Sequence, residues 1–424
     1  MLIKNANIYL GQKNFMKGSL LVKEGKIAAI LAADFACENL GAKTVIDAKG
    51  ALLSPAFIDL HVHFREPGFS YKATIASESR AAAKGGFSTV ATMPNLNPVP
   101  DSLVNLQAQL EIIKKDSVIR VIPYASVTKG EKGEELSDFL ALAPFCVGFS
   151  DDGRGVESSS LMLEAMKMAA KVNKPIASHC EDLGLFTGCM HEGSQAEKMK
   201  LPGIPSACES AQVARDMLLA QLACAHFHVC HISAKESLEL VRLGKKMGIR
   251  VSAEVTPHHL LSTHEDVKDS IWKMNPPLRE EADRKVLLEA LKEGVLDVIA
   301  TDHAPHSAED KAKGMEKSAF GIISIEHAFS LMYSQLVLHE GLELATLLDA
   351  MSANPAKLFK LTGGKIELGA AADLVLIDLN REFVLSEEDI ISKAKNCPYI
   401  GRKLSSRVLL TVVDGKIVYK DEAC

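Results

Sequence analysis

The residues best suited to chemistry lie in one short run, Phe57-Ile58-Asp59-Leu60-His61-Val62-His63-Phe64-Arg65-Glu66-Pro67-Gly68. An extended backbone sends alternate side chains to opposite faces. His61 and His63 are therefore expected on one side and Leu60, Val62 and Phe64 on the other. Two neutral imidazoles on one face can hold a transition metal, and Arg65 continues their parity as a planar cation. Pro67-Gly68 then ends the strand. A lone His-x-His pair also fits a polar face or a core. Four further signals downstream favour the metal.

Those signals are Asp151-Asp152-Gly153, Ala177-Ser178-His179, Val229-Cys230-His231 and Thr301-Asp302-His303, each following a short apolar run. Imidazole nitrogens combined with carboxylate oxygens suit zinc or a similar divalent ion, not the all-oxygen shell of calcium or magnesium. The donors exceed what one open tetrahedral zinc needs, which favours two ions sharing a carboxylate. Metal lowers the pKa of bound water from about 15.7 towards 7. A neighbouring carboxylate could take that proton and pass it to a leaving nitrogen.

These side chains must be positioned by repeating elements. Apolar runs at 57–60, 88–93, 118–124, 145–149, 175–178, 226–231, 250–254 and 296–301 alternate with helical patterns such as 158–172, 234–247 and 280–293. Glycines near the helix ends, at Gly85-Gly86 and Gly248, act as stops. Eight strands separated by helices predict an α/β fold, a (β/α)8 barrel, whose working residues gather at the C-terminal strand ends. An open doubly wound sheet is the competitor, but no phosphate-cradling glycine loop follows the first strand. Both termini read instead as short strands and tight turns, including a hairpin at Lys23-Glu24-Gly25. They predict a small β-sandwich domain from residues 1–54 and 362–424, around a barrel of residues 55–361.

The chain has 424 residues, is 47% hydrophobic and 24% charged, and carries a net charge of −6. That balance suggests neither nucleic-acid nor membrane partners, and no apolar run approaches the ~20 residues of a membrane span. The N-terminus lacks a signal-peptide layout, so a cytoplasmic location is expected. Nine scattered cysteines without a C-x-x-C pair read as free thiols. Cys180 and Cys230 are expected to face away from their histidine neighbours.

In order along the chain, Asp59–Gly68 above, Thr92-Met93-Pro94-Asn95, Ser150-Asp151-Asp152-Gly153, Ser178-His179-Cys180-Glu181-Asp182, His228-Val229-Cys230-His231-Ile232-Ser233, Asn275-Pro276-Pro277-Leu278-Arg279 and Thr301-Asp302-His303-Ala304-Pro305-His306 resemble the dihydroorotases of the amidohydrolase superfamily, most closely the class I bacterial ones. The resemblance covers essentially the whole chain. It implies reversible zinc-dependent cyclisation of N-carbamoyl-L-aspartate to dihydroorotate in pyrimidine synthesis. It also implies His61, His63 and Asp302 on a first zinc, His179 and His231 on a second, and Asp302 as catalytic base and acid. Where many relatives bridge the metals with a carboxylated lysine, an aspartate stands here, Asp152 in preference to Asp151. Arg65 and Asn95 would bind the substrate carboxylate, Asn275 and His306 would complete the pocket with His63, and the backbone of Phe320-Gly321 would read the ring amide. A homodimer, and association with aspartate transcarbamoylase, are further family expectations.

Hydantoinases and allantoinases share His-x-His but usually carry the lysine. A catalytically dead scaffold would normally have lost ligands. The polar stretch 307–317 is expected as a mobile loop or lid. His258 and His259, read as adjacent residues on an extended segment, would point apart and act as hydrogen-bonding groups. His226 and His228 are expected towards the helix layer, and His303 away from Asp302. Asp59 is expected towards the lumen, as a structural carboxylate.

Overall fold

The computed structural model describes residues 1–35, 40–422 and 424. Eight parallel strands follow the eight apolar runs: Phe57–Val62, Phe87–Thr92, Arg120–Pro123 (continued at Ala125–Ser126), Phe149–Ser150, Ile176–Ser178, Phe227–Val229, Val251–Val255 and Val298–Ile299. The first and eighth meet through a parallel bridge between Val62 and His303, where His63 N–H donates to His303 O at 2.9 Å. The ring is therefore closed, a (β/α)8 barrel. Helices such as Ile75–Lys84, Ser159–Lys171, Ala207–Ala223, Lys235–Lys246 and Glu281–Lys292 alternate with the strands. Gly86 and Gly248 take left-handed φ of 92° and 75° just beyond two of these helices. Only a residue without Cβ does so freely.

Alternation divides the apolar side chains into two layers. Val90, Ile176, Val229 and Ala253 pack outward with helix residues such as Ala81, Met166, Val241 and Leu287. Ile58, Leu60, Ala91, Tyr124, Ala177, Cys230, Val298 and Phe359 form a separate cluster that fills the lumen. Phe359, from the helix Ala353–Phe359, lies with its ring 5.9 Å from His226 and 5.0 Å from His228. These two histidines therefore face the barrel interior, not the helix layer as expected. Cys230 also faces inward, whereas Cys180 packs outward. Both are buried free thiols, as read from the sequence.

Strands from both termini form one eight-stranded sheet, in which Leu52–Pro55 pairs antiparallel with Leu374–Val384 and parallel with Leu2–Tyr9. The expected hairpin joins Phe15–Lys23 to Lys26–Ala32. Positive φ at Glu24 (50°) and Gly25 (75°) gives its turn the twist such hairpins need. The small β-sandwich closes over Ile3, Ile8, Leu20, Leu53, Leu374, Leu410 and Val412. It is tied to the barrel where Arg120, on the third barrel strand, donates to both Asp373 carboxylate oxygens at 2.6 and 2.9 Å. No described helix is long and apolar enough to cross a membrane.

Candidate active site

The first barrel strand ends irregularly. Its pairing with the second shifts register between Asp59 and Val62, so strict alternation fails there. Leu60 joins the lumen cluster, and His61 reaches inward as well, with Nδ1 2.7 Å from Glu254 Oε1. Asp59 does not join the donors. Its carboxylate accepts from His61 N–H at 3.0 Å, and from Thr301 N–H at 3.1 Å and Oγ1 at 2.5 Å, stitching the first strand to the eighth. Burial raises its pKa to about 7 despite those bonds.

The residues expected around the metals converge at the C-terminal mouth. His61 Nε2 lies 3.3 Å from Asp152 Oδ1 and 3.6 Å from Asp302 Oδ1. His63 Nε2 lies 3.0 Å from Asp302 Oδ1 and 3.6 Å from Asp152 Oδ2. His231 Nε2 is 3.9 Å from Asp152 Oδ1 and 2.9 Å from His179 Nδ1. Asp151 is otherwise engaged, accepting from Val127 N–H at 2.8 Å and from the backbone and hydroxyl of Thr128. Asp152 alone of the pair faces the imidazoles.

Two trios gather donor atoms within 4.8 Å of one another: His61, His63 and Asp302, and His61, Asp152 and His231. Between the trios, His61 Nε2 and Asp152 Oδ1 are buried without a hydrogen-bond partner. An unsatisfied buried polar atom costs about 1–3 kcal/mol, so two side by side form a gap that a cation fits. The mixed nitrogen and carboxylate set suits a divalent transition metal. A third trio, His61, Cys230 and Glu254, differs. Burial keeps the Cys230 thiol protonated, and Glu254 already engages His61 Nδ1, His228 Nε2 at 3.1 Å and His231 N–H at 3.2 Å.

Burial alone would raise Asp302, but the His63 bond and the charges of His61, His63 and His231 outweigh it and hold the carboxyl below its ordinary range. Asp152 is lowered against burial by His61, His63 and His179. His231 falls to about 3 through burial and the neighbouring His179 and His61. Arg65, His231 and Asp302 have φ of 64°, 32° and 47°. Left-handed backbone at non-glycine residues costs of order 1–3 kcal/mol each and is held only where the surroundings enforce it.

A cavity of about 230 Å³ opens beside the cluster, lined by His63, Arg65, Asn95, Asn275, His306 and Phe320-Gly321 among others. Its size suits a small ring. Arg65 Nε–H donates to Pro305 O at 3.1 Å, and its Nη2 lies 3.2 Å from His306 Nε2. Asn95 sits between the two halves of the site. Its Oδ1 is 2.9 Å from His63 Nδ1, and its Nδ2 donates to Asp152 Oδ2 at 3.2 Å. Asn275 Nδ2 donates to Glu181 Oε2 at 2.6 Å beside His179. Gly321 is tightly placed, since a Cβ there would lie 2.6 Å from Ala304 Cβ. Its N–H already donates to Lys273 O, and its carbonyl accepts from Lys311 and Asn396.

Within the stretch expected as a polar loop or lid lie two short helices, Ala308–Lys311 and Gly314–Lys317. Lys311 is buried beneath them, donating to the carbonyls of Lys273, Ala319 and Gly321 at 2.9–3.1 Å. His258 and His259 stand on a helix, Pro257–Leu261, not on an extended segment. His259 bonds Thr256 Oγ1 and Pro276 O, while both nitrogens of buried His258 lack partners. His303 points away from Asp302, with Nε2 2.8 Å from Glu78. Glu254 was not singled out in the sequence. Its signal was its place on the lumen face of the seventh strand, two residues beyond Ser252.

The fold and this donor set place the chain among the amidohydrolases. Their family model matches residues 250–419, and the dihydro-orotase-like model matches residues 50–237. Dihydroorotases from Fusobacterium nucleatum and Staphylococcus epidermidis are 52% and 47% identical, over 100% and 99% of this chain and 99% of each relative. The chain belongs to the dihydroorotase family. An L-hydantoinase from Arthrobacter aurescens, at 24% identity, shares the fold with a TM-score of 0.86 over 99% of this chain and 96% of that one. A D-hydantoinase from a Thermus species, at 25% identity, gives 0.83 over 99% and 95%.

Proposed function

We propose that this chain is a dihydroorotase, interconverting N-carbamoyl-L-aspartate and dihydroorotate. The observation that carries this is the pairing of two features in one small cavity. Orphaned metal donors lie on one wall, and the Arg65–His306 pair lies on the other. A guanidinium beside an imidazole suits a ring that bears a carboxylate, which hydantoin and allantoin lack.

His61, His63 and Asp302 would hold one zinc and His179 and His231 a second, with Asp152 between them. Bound there, zinc would supply hydroxide at neutral pH and polarise the ring carbonyl. Asp302 takes the proton from the water that attacks the carbonyl and returns it to the amide nitrogen as the C–N bond breaks. In the cyclising direction it takes the proton from the ureido nitrogen and delivers it to the departing oxygen. Glu254 holds His61 by Nδ1, which leaves Nε2 free for the metal. Arg65 and His306 anchor the carboxylate, Asn95 steadies His63 and Asp152, and Asn275 and Phe320 close the pocket.

Assays of the zinc-loaded protein with dihydroorotate, hydantoin and allantoin, alongside metal analysis, test this. Turnover is expected with dihydroorotate and to be negligible with the other two. Absence of dihydroorotate turnover by zinc-loaded protein overturns the assignment. The division into residues 1–54 with 362–424 and 55–361, a cytoplasmic homodimer and association with aspartate transcarbamoylase belong to the same proposal. Light scattering and co-purification from cytosol check the location, the dimer and the association.

A further inference from the structure

Arg65, His306 and Lys72 set a problem of proton counting. His306 Nε2 is 3.2 Å from Arg65 Nη2, and its Nδ1 is 3.3 Å from Lys72 Nζ. Guanidinium and ammonium groups donate hydrogen bonds and accept none. A neutral imidazole has one lone pair and one N–H, so it can satisfy only one of these neighbours, and an imidazolium neither. Burial, then the charges of Arg65, Lys72 and Lys311, hold His306 well below its ordinary pKa. The ring is neutral and must choose.

Lys72 is the better-fixed donor. Its ammonium lies 3.4 Å from Asp310 Oδ2 and 5.7 Å from the ring centres of both Phe69 and Tyr71. Asp310 Oδ2 is 4.0 Å from His306 Nδ1, too far to accept a proton from it. Across the ring, Arg65 is anchored by Nε–H to Pro305 O and lines the cavity. If Nδ1 accepts from Lys72, the proton sits on Nε2 and faces Arg65. Two donors then adjoin one another, with the backbone of Phe320 as a further hydrogen-bond partner of the ring. A carboxylate oxygen placed there accepts from both.

We propose that Lys72 is a positioning residue. It fixes His306 in the tautomer protonated on Nε2, so that His306 and Arg65 present adjoining N–H groups to the substrate carboxylate. This rests on the assignment of Arg65 and His306 to that carboxylate. A ring without the carboxylate leaves the two donors opposed, so the arrangement also selects against uncharged cyclic amides.

The test uses the zinc-loaded full-length protein and its Lys72→Met, Lys72→Arg and Arg65→Met variants. Lys72→Met is expected to raise KM for dihydroorotate about 10-fold, the loss of one charge-assisted hydrogen bond, with kcat within about 3-fold of wild type. Lys72→Arg is expected to restore KM to within about 3-fold. Nitrogen-15 spectra of ring-labelled histidine, with His306 assigned by its loss in His306→Gln, should show wild-type His306 protonated on Nε2 and a shift towards Nδ1 in Lys72→Met. An unchanged KM in Lys72→Met, or a wild-type His306 protonated on Nδ1, overturns the proposal. If Lys72→Met loses zinc or fails to fold, the wild-type spectrum alone decides. If Arg65→Met leaves KM unchanged, the carboxylate assignment itself fails. If it raises KM while Lys72→Met does not, only the role of Lys72 fails.

Discussion

Two His-x-His pairs stand on barrel strands, and they have opposite fates. His61 and His63 close the first strand at the mouth, where His61 Nε2 is buried with no partner. His226 and His228 open the sixth strand at the floor, against Phe359. There His228 has Ser252 Oγ at 2.8 Å on Nδ1 and Glu254 Oε2 at 3.1 Å on Nε2, and His226 Nε2 shares the same Ser252 hydroxyl. Residue type and spacing are identical. What separates the candidate metal donors from the core histidines is their height along the strand and, for His61, an Nε2 that no protein group satisfies. The two ends are joined by Glu254, which touches His61 with one oxygen and His228 with the other.

The contrast breaks most sharply at Asp302. Asp302→Asn keeps an oxygen at the mouth and removes the proton carrier, so turnover of dihydroorotate is expected to fall by about 10²- to 10⁴-fold. Zinc content by elemental analysis should stay largely intact. Wild-type turnover in that variant would remove Asp302 from its role.

Glu254→Gln probes the link between the ends. It weakens the acceptor that holds His61 Nδ1, and metal affinity is expected to drop about 10- to 100-fold in competition with a chelator. His228→Leu removes the floor partner instead. It should leave zinc content and KM as in wild type and cost about 1–3 kcal/mol in denaturant unfolding, because polar groups are left buried without a partner. Metal loss in His228→Leu would mean that the floor histidine also sustains the mouth.

Much of this was legible in the residues. Strands covered on both faces read as short apolar runs, and all eight were visible, with candidate donors at the ends of five of them. Directions at those ends were less legible, because alternation holds only while the backbone stays extended. The register shift after Asp59 put Leu60 and His61 on the same side. Similarly, the sixth strand stops at Val229 and His231 turns to a φ of 32°. Parity counted back from His231 therefore sent His228 and Cys230 the wrong way. Glu254 escaped notice because one inward carboxylate on an apolar strand has no motif. The stretch 307–317 looked mobile because its polarity is that of a solvated loop. Only the fold reveals that Lys311 turns inward to three carbonyls.

Lys311 sharpens the comparison from the mouth side, since it is a buried polar group there that the protein satisfies entirely by itself. Burial lowers its pKa from 10.5 to about 7. Between those values the unfolded chain holds a proton that the folded chain has released. The contribution of this group to stability therefore rises with pH from about 7 to 10.5, and its full burial penalty applies below 7. Lys311→Met removes that titration together with the three hydrogen bonds. The Tm of wild type minus that of the variant should consequently grow as pH rises through this window, with other titrating groups cancelling in the difference. A flat difference by scanning calorimetry would show that the carbonyl cage keeps Lys311 charged throughout. The ammonium would then be as fully compensated as the imidazole of His228 at the floor.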